Sequence, residues 1–242
     1  MYKEKMILLG VLLVAFAAAS VVPVMASIPA AEVVASTEKN PYAYTPTQQS
    51  VSVHAGQITQ ANLTTEQSTY HWAGVYGNAT GTLVLGDSSN KKMYEWPAKA
   101  NYVFFTTDTQ ITWDSLTNAT CSDIEASGVY DFLSGASDSC ENTFTTVANF
   151  QPKSISVSIT NANAAKTYDG ETPQTPYWTT IALKDAGTPS SRDDIVFVGV
   201  VDNSGHSAYD GSTFVNYQAI LPEDGENGDT SATTYYIWIE LY

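Results

Sequence analysis

The run "DIVFVGVV" (194 to 201) limits the possible folds more than any other stretch of the chain. After its first residue it is apolar at odd and even positions alike, so a strand built from it needs cover on both faces. That places it at the centre of a sheet with material packed on either side. Two further runs carry the two-residue period of strands. In "SISVSIT" (154 to 160), Ile155, Val157 and Ile159 alternate with polar residues, which predicts a strand with one wet face. In "TYYIWIELY" (234 to 242), Tyr235, Ile237, Ile239 and Leu241 share one face, and Tyr236, Trp238, Glu240 and Tyr242 share the other. Short β-prone runs recur from Val51 onward between turn signals, and helical periodicity is almost absent. The pattern predicts an all-β chain, a β-sandwich or a jelly-roll-like fold.

One segment argues for helix. Ser122 to Glu125 has the spacing of a capping box, and Ile124, Val129, Phe132 and Leu133 form a short apolar stripe that stops at Gly135. This expected helix lies between Cys121 and Cys140, the two cysteines of the chain. An isolated pair without CxxC spacing or a nearby histidine is read as a structural disulfide, whose loop closure is worth about 3 kcal/mol in the chain-entropy model.

The N-terminus points to export. Lys3 and Lys5 precede an apolar run from Met6 to Ala19, and Val24 and Ala26 supply small residues for a signal peptidase, so residues 1 to 26 are expected to be a cleaved signal peptide. Ser20 and Pro23 interrupt the run before it reaches the roughly 20 apolar residues of a membrane span. No integral membrane segment is expected after cleavage. Residues 27 to 49, broken by Pro29, Pro41 and Pro46, read as an extended arm or linker, and residues 50 to 242 as one β domain.

Cleavage removes Lys3, Lys5 and Glu4, which leaves 8 basic side chains (10 less 2) against 24 acidic ones (25 less 1). Such a balance disfavours nucleic acid and anionic lipid as partners. Only 14% of residues are charged while 12% are aromatic, so the chain is folded and its surface is neutral-polar rather than ionic.

The stretch "STYHWAGVYGNATGTLVL" (68 to 85) combines aromatics, a histidine and glycines, and it is expected to be scaffold. Thr69 to Tyr76 reads as a strand, Gly77 and Asn78 as a tight turn, and Thr80 to Leu85 as the succeeding strand with Leu83 and Leu85 inward. His71 and His54 then stand as lone imidazoles on β surfaces.

The runs "AGQITQANLTTEQSTYHWAGVYGNATGTLVLGDSSNKKMYEW" (55 to 96), "ITWDSLTNATCSDIE" (111 to 125) and "LPEDGENGDTSATTYYIWIEL" (221 to 241) resemble a family of secreted archaeal proteins built around a W-x-G-x-Y-G-N segment. The similarity runs from about Val51 to Tyr242. That family has no established enzymatic activity, and the resemblance implies an extracellular or cell-surface location. It supplies no mechanism. Three sequons, at Asn62, Asn78 and Asn118, lie at or beside predicted turns and are candidate glycosylation sites.

Candidate chemistry is sparse. "GHSAY" (205 to 209) approaches a nucleophile elbow, with His206 beside Ser207, but Tyr209 stands where a small residue is needed and no strand–turn–helix context surrounds it. The acidic loops "DNSGHSAYDG" (202 to 211) and "EDGENGD" (223 to 229) hold the ligand types that Ca²⁺ takes, without the spacing of a known calcium loop. Calcium is the one cofactor they allow, and no metal ligand set is assigned. No catalytic residue is assigned and the chain is not expected to be an enzyme.

The expected function is that of a secreted structural glycoprotein of the cell surface or extracellular matrix, acting by self-association or adhesion with itself or other surface components as partner. One alternative is a strand-donating filament subunit, in which Val33, Val34, Val51 and Val53 of the arm region join a neighbour's sheet edge. Another is a carbohydrate-binding module, for which Tyr42, Tyr44, Tyr94, Trp96 and Trp178 are the aromatics to test for exposure. An extracellular hydrolase is the remote third.

Overall fold

A computed structural model describes residues 28–39, 50–127, 136–170, 176–223, 225 and 231–242. Among these the strands are β1 (Trp72–Gly77), β2 (Gly81–Gly86), β3 (Lys92–Ala98), β4 (Ala100–Thr106), β5 (Thr117–Asn118), β6 (Thr146–Phe150), β7 (Ile159–Lys166), β8 (Thr179–Lys184), β9 (Ile195–Val200), β10 (His206–Ser207), β11 (Phe214–Val215), β12 (Tyr217–Pro222) and β13 (Tyr236–Leu241). The two short helices are α1 (Cys121–Ala126) and α2 (Cys140–Thr143). The expected all-β class is correct.

A seven-stranded antiparallel sheet dominates, in the order β13-β4-β9-β8-β7-β6 with β5 also paired to β8. The run that most constrained the sequence forms β9, and it sits centrally between β4 and β8. Its side chains divide between two cores. Ile195 and Phe197 join Val103, Phe105 and Ala182 on one face, while Val196 and Val198 join Phe104, Ile181 and Leu183 on the other.

The first face is covered by a ribbon in which β1 pairs with β12. Ala219 and Leu221 of β12 enter that core, and the Ile220 amide donates to the Thr180 hydroxyl at 3.0 Å. Gly199 lies under this ribbon, where an added Cβ would come within 3.4 Å of the Ala219 Cβ. The second face is covered by connections rather than by a sheet. Ile111, Leu116 and Ile155 are buried there, with Trp113 and Val157 packed against them. Edge-to-face aromatic contacts join Phe104 to Trp113 and to Phe150, geometry that the ring quadrupoles favour. The result is a sandwich with one broad sheet, a narrow ribbon on one side and aromatic loops on the other.

The terminal strand divides its faces as its alternation predicts: Tyr235, Ile237, Ile239 and Leu241 pack on the first core and Trp238 on the second. The "SISVSIT" expectation needs correction, because the strand begins only at Ile159 and residues 153 to 156 bend. The cause is Glu240, which is fully buried and whose Oε1 accepts from the amides of Lys153 and Ser154 and from the Ser154 hydroxyl. Ile155, Val157 and Ile159 still turn toward the core, so the alternation marks burial and not a strand.

The hairpin expected between Thr69 and Leu85 is also corrected. β1 pairs with β12, and β2 pairs with β3. Gly77 and Asn78 make no positive-φ turn. Asn216 holds this crossing instead: its Oδ1 accepts from the Ala79 amide at 2.7 Å, its Nδ2 donates to the Ala79 carbonyl at 2.8 Å, and its own amide donates to the Gly77 carbonyl. With the chain drawn away from β1, Leu83 and Leu85 are exposed and not inward.

The disulfide between Cys121 and Cys140 is present, with the Cα atoms 5.6 Å apart. It joins the first residues of α1 and α2. The capping box is made by Thr120 and Asp123, two residues ahead of the expected Ser122, and Asp123 also takes an ion pair from Lys184 at 2.8 Å. Val129, Phe132, Leu133 and Gly135 lie outside the described residues, as does the expected signal peptide at 1 to 26.

Candidate interaction surfaces

The most informative surface is the free side of β13. Pro29, Ala30 and Ala31, from the start of the expected arm, lie along it. Ala30 is opposite Trp238 in an antiparallel bridge, the Ala31 amide donates to the Ile237 carbonyl at 2.7 Å, and the Ile239 amide donates to the Pro29 carbonyl at 3.2 Å. Ile28 is 3% exposed and packs in the second core with Trp238, Tyr102 and Phe104. Burying a side chain of this size is worth roughly 1.5–3 kcal/mol. Beyond this contact the chain leaves the domain: residues 32–39 and 50–67 are exposed throughout. Val33, Val34, Val51 and Val53 therefore sit in solvent, and the pairing residues are Pro29 to Ala31.

A second surface is the β2–β3 ribbon, whose strands pair, among the described residues, with each other alone. Leu83 lies opposite Trp96 and Leu85 opposite Tyr94, so the four share one face. All four are exposed, as are Val84 and Met93.

The remaining candidates fall into the scaffold. Trp178 is completely buried and its Nε1 donates to the Ser207 carbonyl at 2.8 Å, which removes it as a sugar platform. Tyr94 and Trp96 are exposed, with ring centroids 4.7 Å apart but planes tilted by 50°. Tyr42 and Tyr44 lie outside the described residues. Ser207 belongs to the two-residue strand β10, paired with β11, so the elbow context is lacking here too. His206 lies against Tyr177, stacked with centroids 3.5 Å apart, and its Nε2 meets Asp202 Oδ2 at 3.1 Å.

The carboxylates of the 202–211 loop hold turns. Asp202 Oδ1 accepts from the Ser204 amide at 2.8 Å. Asp210 accepts from the Thr213 hydroxyl and amide and from the Ser212 amide, which lower its pKa to about 2. In the second acidic stretch, Glu223 accepts from the Thr233 hydroxyl at 2.6 Å, while residues 224 and 226–230 lie outside the described residues. Among the described residues no group of three or more His, Cys, Asp or Glu side chains is placed to hold a metal ion.

His71 is not a lone imidazole. Its Nδ1 meets Asp138 Oδ2 at 3.0 Å, the Thr69 hydroxyl donates to the same oxygen, and Trp72 Nε1 donates to the Asp138 carbonyl at 2.7 Å. This cluster ties the approach to β1 to the chain just ahead of Cys140. His54 is exposed in a turn. Of the sequons, Asn62 and Asn78 are exposed in loops. Asn118 lies in β5 rather than a turn, and its Oδ1 accepts from the Asn163 amide at 2.7 Å.

Sequence reasoning missed the cis seat of Ile28 and the outward ribbon. A signal for the first was present, since Ile28 is an isolated apolar residue just past the expected cleavage point and ahead of a polar arm. No family model, curated protein or solved structure matches the chain. Among the described residues, no helix is long and apolar enough to cross a membrane.

Proposed function

We propose that the protein is a secreted structural glycoprotein of the archaeal cell surface or extracellular matrix, which self-associates by exchanging its N-terminal strand between copies. The carrying observation is the seat of Ile28 to Ala31 on the free side of β13. The donor segment and the acceptor edge belong to one chain, and the described residues that follow the donor, 32–39 and 50–67, are exposed. Pairing in trans makes the same backbone bonds and buries the same isoleucine, so exchange costs little beyond association itself. Extended at about 3.3 Å per residue, the stretch from 32 to 69 reaches ~120 Å, enough to bridge neighbouring domains. Passing the strand to the next copy in one direction generates an open chain of subunits, and reciprocal exchange a closed dimer.

The signal-like N-terminus, the disulfide and the resemblance to secreted archaeal proteins support an oxidising extracellular setting. A truncated chain beginning at Ser50 tests the assembly mode. It is expected to remain folded, to be less stable by about 2 kcal/mol for loss of Ile28, and to assemble more weakly than the full-length chain. A synthetic peptide spanning residues 27 to 39 is expected to bind it and restore the lost stability. Equal assembly of truncated and full-length chains, or a full-length chain that stays monomeric at high concentration, overturns strand exchange.

A further inference from the structure

The β2–β3 ribbon departs from the economy of the rest of the surface. Leu83, Leu85, Tyr94 and Trp96 occupy one face and are 43%, 51%, 58% and 47% exposed. Folded monomers rarely leave such a contiguous apolar face in water, and Tyr and Trp are the residues that anchor protein interfaces. The ribbon is anchored at its base, where Gly81 lies so close to Leu241 that any Cβ would collide with it. Its tip is held by Asp87, whose Oδ1 accepts from the Ser89 and Lys91 amides, both at 2.9 Å.

Charge indicates what covers this face. The chain as a whole carries −15, yet Lys91, Lys92 and Lys99 outnumber Asp87 and Glu95 on and beside the ribbon, where Lys92 pairs with Glu95 at 2.9 Å and Lys91 and Lys99 are left to face a partner. The ribbon leads into β4 of the seven-stranded sheet, whose far end is acidic. At the base, the Lys99 amide pairs with Tyr242 beside the start of β4; past the end of β4, Thr107 bonds Asp193 at 2.7 Å. Asp108, Asp185 and Asp194 gather around that second end. Burial, together with the charges of Asp194 and Asp108, pushes the Asp185 carboxyl up, against the amide of Thr112 that it accepts. Of the nearby bases, Lys184 is engaged by Asp123 and Arg192 by Thr233.

We propose that the β2–β3 ribbon is a docking element for a second copy of this chain, its apolar face lying on the neighbour and its lysines meeting the carboxylates at the far end of the neighbour's sheet. With the lysines on the ribbon and the carboxylates at the far end of the sheet it leads into, the contact is head-to-tail, so it propagates rather than closes. An anionic membrane is disfavoured by the overall charge of the molecule, and a sugar platform by the 50° tilt between Tyr94 and Trp96. This inference rests on the self-association reading but not on strand exchange, since the ribbon lies outside the arm.

The test separates the two. Full-length protein, the variant Tyr94→Ser/Trp96→Ser and the variant Lys91→Glu/Lys92→Glu are compared by sedimentation velocity across a concentration series, with circular dichroism as the check on folding. Each variant is expected to need at least tenfold more protein to associate. Reversing the opposite end as well, with Asp108→Lys and Asp193→Lys, is expected to restore association to the lysine variant. Carbodiimide cross-linking of mixed isotope-labelled and unlabelled chains is expected to join Lys91 or Lys92 of one copy to Asp108, Asp185 or Asp194 of another, and to do so in the chain truncated at Ser50 as well. Wild-type-like association of both variants overturns the proposal, as do cross-links confined to single copies or an unmutated chain that stays monomeric. Loss of binding to a polysaccharide in the aromatic variant, with association unchanged, overturns it in favour of a glycan. Should the aromatic variant misfold, the charge reversals carry the decision alone.

Discussion

Glu240 reaches across from the last strand to Ser154, accepting from both its amide at 2.7 Å and its hydroxyl at 2.8 Å. Its other oxygen accepts from Asn101 Nδ2 at 2.7 Å. A buried carboxylate held by neutral donors is costly to remove, because its donors lose their acceptor in a place water does not reach. Glu240→Ala is expected to destabilise the fold by about 3 kcal/mol, and Glu240→Gln by less, since an amide oxygen still receives the Lys153 and Ser154 donors. Urea unfolding of the three proteins checks the order; an alanine variant as stable as the parent contradicts it.

The bridge between Cys121 and Cys140 ties the start of α1 to the start of α2. Intact mass of the non-reduced protein is expected to show no free thiol, and reduction to cost about 3 kcal/mol. Alkylation of both cysteines without reductant would rule the bridge out.

Acid sensitivity follows from Asp123 and Asp138. Burial opposes ionisation of Asp123, but the Lys184 side chain and the amide and hydroxyl of Thr120 outweigh it and hold the carboxyl below its ordinary value. Burial likewise opposes ionisation of Asp138, and the Thr69 hydroxyl, its own amide and His71 outweigh it. A folded value below the unfolded one means that the contribution is complete above the unfolded value and is lost as the pH falls through the folded one. Asp185 has the opposite sign, so its contribution is lost as the pH rises through its raised value. Chemical unfolding from about pH 6 down to 2 is expected to show falling stability. Asp123→Asn is expected to flatten that fall and Asp185→Asn to steepen it.

Ser207 lies in a two-residue strand and its carbonyl receives Trp178 Nε1. Ser207→Ala is expected to leave unchanged any hydrolytic activity that accompanies the purified protein. A large loss of turnover would make the protein a hydrolase.

Asn62 and Asn78 are exposed, while Asn118 is in a strand with its side chain bonded to Asn163 and the hydroxyl of its sequon Thr120 engaged as a helix cap. Glycopeptide mass spectrometry of the protein purified from its native source is expected to find higher occupancy at Asn62 and Asn78 than at Asn118. The reverse order would mean that glycosylation precedes folding of β5.

The elements legible in the sequence were those whose pattern is set by their own burial. "DIVFVGVV" is β9 because a central strand is apolar on both faces, and the last strand alternates because its two faces meet two different cores. Partnership was not legible. Nothing in Trp72 to Gly77 says that its partner lies at Tyr217 to Pro222, since the pairing is non-local and Asn216 fixes the crossing from far along the chain. Leu83 and Leu85 look like core residues because alternation reports that a face is apolar and cannot say whether the cover comes from the same chain. His71 appeared isolated for a similar reason, its partner Asp138 lying in a different part of the sequence.

The seat of the first strand is also built against a fluorophore. Trp238 stands opposite Ala30, is 8% exposed, and meets Trp113 edge to face at a centroid distance of 6.3 Å. When Ile28 lifts away, the indole of Trp238 gains water and its geometry against Trp113 relaxes, so emission shifts to the red and the near-ultraviolet ellipticity of the pair falls. Whether the seat is filled or empty is therefore written in the protein's own optical spectrum, and the kinetics of strand release can be followed without any attached label.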